Sequence, residues 1–183
     1  MNRKKAILEA ALSLLAEKGV HATPMSAIAK EAGTGMGTIY NHFPNKNILI
    51  NALYVSIKNQ EKAVFVAPDD SDPFRTQFEQ YYVGAVQFFI DNPLYFKLIE
   101  QLQASPIITA ESRASGLEAV ASVIELIESG KERRIIKAIE TPELMQFIGG
   151  TIVCYLRWYF QAAKEEKPSL ANQLKMTWDA IKQ

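Results

Sequence analysis

The sequence predicts an all-α protein of about nine helices, and three observations support this fold class. Apolar residues recur at helical spacing through most of the 183 residues. Alternation of polar and apolar residues with a period of two is never sustained, and dipeptides typical of tight hairpins, such as Asn-Gly, are absent. A hydrophobic content of 48% is enough for one large core or two small ones.

Four helices are predicted in the first third of the chain, and glycine or proline marks most of their ends. Gly19 and Gly33 each supply a helix C-terminus, while Thr23-Pro24 offers an N-cap hydroxyl followed by proline at the first helical position. The third helix is very short and starts at Gly35 or Met36. The first three predicted helices end at Gly19, Gly33 and Asn41. The fourth predicted helix begins at Lys46.

Five further helices are predicted after VAPDDSDPF (66–74), whose proline and aspartate content indicates a break. They span about 74–91, 93–103, 109–133, 141–164 and 169–181. The 109–133 helix has a predicted apolar stripe of Leu117, Val120, Ala121, Ile124 and Ile127. Thr141-Pro142 repeats the pattern of an N-cap followed by proline.

The formal net charge is zero, but the charges are distributed unevenly. Residues 1–60 hold seven of the 20 basic residues and three of the 20 acidic ones, which leaves 13 and 17 for the remainder. A basic end on an acidic body favours a polyanionic partner for the first third, although random scatter would give a similar count.

Several classes of function are disfavoured by composition. The single cysteine, Cys154, excludes an internal disulfide framework, and its apolar run FIGGTIVCYL predicts a buried structural thiol. His21 and His42 lie in unrelated contexts, so we expect no metal, no cofactor and no catalytic cluster. No segment approaches the roughly 20 apolar residues that span a bilayer, and the amphipathic N-terminus is unlike a signal peptide, so we expect a cytoplasmic protein without membrane contact.

The stretch GTGMGTIYNHFPNK (33–46) is too small and polar to form a core, so we expect it to face a partner. Two short helices joined by AGTG predict a helix-turn-helix, whose second helix enters the major groove of double-stranded DNA. The glycines allow backbone amides to approach phosphates, but a dinucleotide-binding turn is rejected because the preceding strand is absent. The candidate DNA contacts are Thr23, Thr34, Gly35, Met36, Gly37, Thr38, Tyr40, Asn41, His42 and Lys46.

Residues 7–53 resemble the DNA-binding domain of TetR-family transcriptional regulators. The matching positions are Gly19, Thr23, Ile28-Ala29, Ala32-Gly33, Gly37-Thr38-Ile39-Tyr40, His42-Phe43 and Lys46. Two positions depart from the family pattern, because Gly35 stands where serine is common and Thr34 where an aliphatic residue is common. Thr34 is the alternative cap for the third helix.

The resemblance implies a DNA-binding domain at 1–46 and a helical ligand-binding and dimerisation domain at 47–183. It also implies a homodimer on a palindromic operator and a repressor controlled by an apolar or aromatic small molecule. Aromatic stripes are more often core than pocket, so both readings stay open for the ligand positions. The candidate ligand contacts are Tyr82, Phe89, Phe96 and Trp158, and the candidate dimer contacts are Tyr155, Tyr159, Leu174 and Trp178.

Two other classes of function are weighed against this one. A small helical enzyme would need a nucleophile beside a base, and no such pair occurs in the sequence. A helical protein-interaction module would explain the apolar last helices but not the 33–46 stretch.

Overall fold

A computed structural model describes residues 3–65 and 71–183, and within these ranges it contains ten α-helices and no β-strand. The all-α prediction is confirmed. The helices are α1 (Arg3–Lys18), α2 (Met25–Glu31), α3 (Met36–His42), α4 (Lys46–Lys62), α5 (Phe74–Asp91), α6 (Pro93–Leu102), α7 (Ala110–Glu118), α8 (Ala121–Glu132), α9 (Thr141–Gln161) and α10 (Leu170–Ile181). The first part of the predicted break, 66–70, lies outside the described residues.

The helices form two compact units. The first comprises the described residues of Met1–Gln60 together with Asn92–Ala119, and the second comprises those of Glu61–Asp91 together with Val120–Gln183. The predicted functional division after residue 46 stays a prediction, because this grouping reflects packing alone.

The first unit is built around α1, which packs against α2 and α6. Both predicted glycine ends are confirmed, since Gly19 and Gly33 adopt positive φ angles of 91° and 60° that side chains disfavour. The Gln101 side chain adds a tie between α6 and the end of α1. Its Oε1 accepts from the Val20 amide at 3.2 Å, and its Nε2 donates to the Leu15 carbonyl at 3.3 Å.

Thr23 does not cap α2, so that prediction is wrong. The N-cap of α2 is Pro24, without a side-chain hydrogen bond. The Thr23 hydroxyl instead donates to the carbonyls of Leu14 at 3.2 Å and Gly19 at 2.9 Å, which lie at the C-terminal end of α1. Helix ends leave carbonyls without intrahelical partners, so this buried hydroxyl fixes the corner between α1 and α2.

The single helix predicted over 109–133 is two helices, because the chain breaks at Ala119 and Val120. Val120 has φ −111° and ψ 15°, outside helical geometry. No glycine or proline marks this break. The new phase buries Val123, Leu126 and Ile127 on α8, whereas Leu117, expected on the apolar stripe, is 63% exposed.

In the second unit α5 packs against α8, α9 and α10. Trp178 of α10 is buried there, with its ring centroid 6.1 Å from that of Phe74 and 5.7 Å from that of Phe78. Within the described part of the chain, none of the helices combines the length and hydropathy needed to cross a membrane.

Thr141 is the second threonine that was wrongly predicted as an N-cap. Glu140 occupies that position without a side-chain hydrogen bond. The Thr141 hydroxyl donates to the Glu128 carboxylate and accepts from the Lys131 ammonium at 2.7 Å, which links α8 to α9. Hydrogen bonds from Thr141, and then from Lys131, hold the pKa of Glu128 below its usual value.

We expect Thr23→Val to lower the free energy of unfolding by about 1–2 kcal/mol, because two carbonyls lose a buried donor while the side-chain shape is kept. Urea unfolding monitored by circular dichroism measures this. Thr76→Val is the matched control, because Thr76 lies half-buried on α5. A loss equal to that of the control would contradict the role of Thr23.

We expect Thr141→Val to raise the pKa of Glu128 toward its usual value. Because a lowered carboxyl pKa stabilises the fold above the usual titration range, the stability gap from wild type should be full at neutral pH. It should close as the pH falls through the pKa of Glu128. Carboxyl NMR titration and urea unfolding at several pH values measure both effects, and a gap independent of pH would contradict the explanation.

Candidate nucleic-acid interface

Helix α3 is held in place by two apolar side chains. It has only seven residues, too few for a helix that is stable by itself in water. Ile39 is fully buried, and Phe43, directly after the helix, is 2% exposed. The Phe43 amide donates to the Ile39 carbonyl at 2.8 Å, and α3 packs against α2. The helical structure of α3 therefore depends on the packing of Ile39 inside the helix and of Phe43 directly after its C-terminus.

Apart from Ile39, most of α3 is open to solvent. Met36 and Tyr40 are 39% and 45% exposed. Residues four apart lie on one side of a helix, so the exposed residues form a continuous surface. The exposed positions on or beside α3 are Gly35, Met36, Gly37, Tyr40, Asn41 and His42, and Thr38 is half-buried.

The N-terminal end of α3 has no side-chain cap. Its N-cap is Gly35, as predicted for one of the two possible starts, and the alternative in which Thr34 caps the helix is wrong. The Thr34 Oγ1 atom is buried without a hydrogen-bond partner within the described structure. The Thr34 amide donates to the Ala29 carbonyl at 2.9 Å, which closes the turn after α2. Thr34 therefore shapes the turn, while the uncapped amides at the start of α3 are left for an outside acceptor.

Basic groups lie beside the exposed face of α3. Lys46, at the start of α4, is half-buried, and its ammonium donates to the His21 carbonyl at 3.5 Å. Burial lowers the pKa of Lys46. The ammonium of Lys4 lies 6.0 Å from the centroid of the Phe43 ring, which places the basic start of α1 near the end of α3. Lys4 was not among the predicted contacts, although the sequence signal, the run Arg3-Lys4-Lys5, was present.

Thr23 does not belong to this exposed surface. Its side chain is 1% exposed, and its hydroxyl bonds inward. The predicted direct contact is therefore replaced by a positioning role, in which Thr23 holds α2 and so the helix packed on it.

Of the four predicted ligand positions, Tyr82, Phe89 and Trp158 lie in the second unit and Phe96 lies in the first. Tyr82 and Phe89 are buried on α5, and the Tyr82 hydroxyl lies 2.9 Å from the Thr151 hydroxyl. Phe96 is buried on α6, in the first unit. Trp158 is 60% exposed on α9.

The two tryptophans lie in different surroundings, and their predicted ligand and dimer roles stay predictions. Trp178, a predicted dimer contact, lies in the core of the second unit, whereas Trp158, a predicted ligand contact, lies on the surface. Tyr155 is also buried, and its hydroxyl donates to the Pro168 carbonyl at 3.2 Å. Tyr159 and Leu174 are half-buried.

One face of α9 carries an exposed apolar stripe that the sequence analysis did not identify. Its members follow the helical spacing of Phe147, Gly150, Cys154 and Trp158, so Cys154 is exposed rather than buried as predicted. Met176 of α10 is 60% exposed, and an open groove of about 470 Å³ is lined by both Trp158 and Met176. In the sequence, α9 is apolar nearly all round. This pattern indicates burial on several sides but does not show which face packs against the rest of the chain.

Among the described residues, no group of three or more histidine, cysteine, aspartate or glutamate side chains could hold a metal ion.

Comparison with known families matches residues 7–53 to the model described as bacterial regulatory proteins, tetR family. Over 171 residues the chain is 28% identical to the HTH-type transcriptional regulator YhgD of Bacillus subtilis, covering 92% of this chain and 88% of the relative. An HTH-type transcriptional regulator of Staphylococcus aureus strain USA300 is 35% identical over 102 residues, and the match spans 54% of each chain.

The fold is also similar to solved structures. A TetR-family transcription regulator from Shewanella sp. PV-4 superposes with a TM-score of 0.88 over 100% of both chains, at 23% sequence identity. A second one, from Marinobacter aquaeolei VT8, gives a TM-score of 0.85 over 98% of this chain and 95% of the other.

We expect Ile39→Ala to cost about 2–5 kcal/mol of unfolding free energy, because the only fully buried side chain of α3 is truncated. Tyr40→Ala should change the stability by less than about 0.5 kcal/mol, because the ring is largely exposed. Chemical unfolding compares the two neighbouring positions. Equal losses for both variants would contradict the single-anchor description of α3.

Proposed function

Because this chain belongs to the TetR family of bacterial transcriptional regulators, we propose that it reads a specific DNA sequence with the exposed face of α3. The observation that carries the proposal is a seven-residue helix with one buried side chain, whose other positions present glycine, hydroxyl, amide and aromatic groups that are exposed or half-buried. A helix presented in this way fits the major groove of B-form DNA. The relatives from Bacillus subtilis and Staphylococcus aureus described above are both named as HTH-type transcriptional regulators.

Each exposed group has a role in this proposal. Thr38 and Asn41 hydrogen-bond to base edges or phosphates, and Met36 offers an apolar contact to a thymine methyl. Tyr40 and His42 donate to phosphate oxygens. The residues before them, Gly35 and Gly37, carry no side chain, so the backbone at the start of α3 can approach a phosphate.

Lys46 and the basic start of α1 supply the sequence-independent part of the affinity. The Lys46 ammonium donates to the His21 carbonyl at 3.5 Å, and in this proposal it turns from that long hydrogen bond to a phosphate. Lysine contacts to phosphate release counterions, and each such contact makes the affinity more sensitive to salt.

We further propose that the protein acts as a homodimer on a palindromic operator, through the exposed apolar faces of α9 and α10. Trp158 and Met176 are each 60% exposed on these neighbouring helices. Large exposed apolar groups on a surface mark interaction sites, and a twofold dimer would present two α3 helices to half-sites about one DNA turn apart. Of the dimer contacts predicted from the sequence, Tyr155 and Trp178 are buried and Tyr159 and Leu174 are half-buried, so in this proposal the two half-buried residues contribute directly to the contact.

The proposed regulation is release of DNA when a small molecule binds the larger helical part, so that the protein is a repressor working in the cytoplasm. An effector changes operator affinity only by its different affinity for two conformations of the dimer. An apolar or aromatic effector suits a unit with an aromatic-rich α5. In this proposal Tyr82, Phe89 and Phe96 are core residues rather than ligand contacts. Trp158 is assigned to the dimer face instead of the ligand site.

The proposal is tested by selecting bound sequences from a pool of random duplex DNA at two salt concentrations. We expect enrichment of one inverted repeat at both concentrations. Tyr40→Ala and His42→Ala should each weaken binding to the selected sequence about tenfold, because one hydrogen bond to a charged acceptor is lost. Tyr95→Phe, outside the helix-turn-helix, serves as the control. Retention without a shared sequence would favour a protein-interaction module with a basic surface.

We expect Lys46→Met to reduce the slope of log affinity against log salt by about one, equally for selected and scrambled duplexes. Lys97→Met on α6 is the matched control, since Lys97 is an exposed lysine outside the helix-turn-helix. Binding titrations at four salt concentrations give the slopes. An unchanged slope in Lys46→Met would contradict the proposed phosphate contact.

We expect Trp158→Glu to convert the dimer to a monomer with little change in the stability of the helical unit, because the ring is mostly exposed. Light scattering after size-exclusion chromatography measures the mass. Leu117→Glu changes an equally exposed apolar residue on α7 and should leave the dimer intact. If the Trp158→Glu variant stays dimeric at the same protein concentrations as the wild type, the proposed dimer face is wrong.

A further inference from the structure

A cavity of about 190 Å³ lies in the second unit, between α5, α8 and the two residues Val64 and Phe65 that follow the end of α4. None of the four ligand positions predicted from the sequence lines it. Its lining is half apolar and half polar: Val64, Phe65, Val123 and Leu126 on one hand, and Gln77, Gln80, Tyr81 and Ser122 on the other.

The size of the cavity limits its occupant. A dry protein cavity of about 150 Å³ holds one benzene molecule. The volume of about 190 Å³ therefore accommodates one ring with a small substituent, and a long acyl chain is too large. One wall is aromatic, because the ring centroids of Phe65 and Tyr81 lie 5.1 Å apart at an angle of 59°. Aromatic walls favour a flat ring as the occupant.

The polar groups of the lining include both donors and acceptors. Gln77 is 6% exposed, and its amide nitrogen donates to the Asp72 carbonyl at 2.8 Å. Its amide oxygen accepts no hydrogen bond from another side chain or backbone amide in the described ranges. Likewise, the Tyr81 hydroxyl forms no hydrogen bond within them. Burial, and then the nearby Glu61 carboxylate, raises the pKa of Tyr81, so its hydroxyl stays protonated and can donate.

The charges around the cavity exclude one class of ligand. Among the described residues that line it there is no lysine, arginine or histidine, and the carboxylate of Glu61, itself 6% exposed, acts on Tyr81 from nearby. Bringing an anion into such a site means removing it from water without a cation to pair with.

We propose that this cavity is the effector site, and that the effector is an uncharged single-ring compound with an amide or similar group that both accepts and donates hydrogen bonds. The ring lies against the Phe65 side, an acceptor on the ligand takes the proton of the Tyr81 hydroxyl, and a donor on the ligand meets the Gln77 oxygen. This inference rests on the proposed ligand-controlled function, since it names the class of molecule that would control it.

The test uses the full chain without DNA and two probes of equal size, benzamide and benzoate. Ligand-observed NMR and titration calorimetry measure binding of each probe. We expect benzamide to bind at least tenfold more tightly than benzoate. Tyr81→Phe should weaken benzamide binding about tenfold, since one hydrogen bond is lost, and should leave the weak benzoate binding unchanged.

Two further variants keep the result interpretable. Ser122→Leu enlarges a half-buried residue of the cavity lining and should abolish benzamide binding, whereas Tyr95→Phe on α6 removes a tyrosine hydroxyl that is not part of the lining and should have no effect. Circular dichroism confirms that each variant is folded. Equal binding of the two probes, binding unaffected by Tyr81→Phe and Ser122→Leu, or no binding of benzamide would each overturn the inference.

The effect of benzamide on the selected operator duplex is measured separately. Because binding is measured without DNA, a protein that fails to recognise an operator still reports on the cavity. Conversely, benzamide binding that leaves operator affinity unchanged would contradict the proposed regulation, and not the assignment of the cavity.

Discussion

The burial of Ile39 is the interaction on which the proposed function depends. Seven residues cannot form a stable helix alone, so α3 exists because Ile39 and Phe43 pack into the first unit. This arrangement needs only one apolar position inside the helix, which leaves the remaining positions free to vary in chemistry. The same fold can therefore present different side chains to different DNA sequences while the energy that orders α3 is unchanged.

The helix ends near glycine and proline were predictable from the sequence. The hydrogen-bond partners of the threonine hydroxyls beside those prolines were not. Gly19 and Gly33 end helices as predicted because their positive φ angles disfavour other residues. Thr23 and Thr141 both precede proline, yet their hydroxyls bond to groups distant in sequence or in the preceding helix. Local pattern cannot reveal such partners, because they are brought together only by tertiary packing.

Helical phase explains the errors in the larger part of the chain. Neither glycine nor proline marks the helix break at Val120. Because of this break, the residues of α8 that face inward differ from those of the predicted continuous stripe. On α9, apolar residues surround the axis, so periodicity could not decide which face is core, and it did not reveal that Trp158 is exposed while Trp178 of α10 is buried. The cavity beside Tyr81 combines residues from three segments, and neither the ring pair nor the buried Glu61 is visible as a motif.

The central claim is that the exposed face of α3 docks on a specific DNA sequence, and amide hydrogen exchange with and without DNA tests it most directly. The account predicts protection of Gly35–His42 and of the start of α4 by the selected duplex, with less protection by a scrambled duplex of the same length. Protection of α9 or α10 alone, or equal protection of α3 by both duplexes, would contradict it.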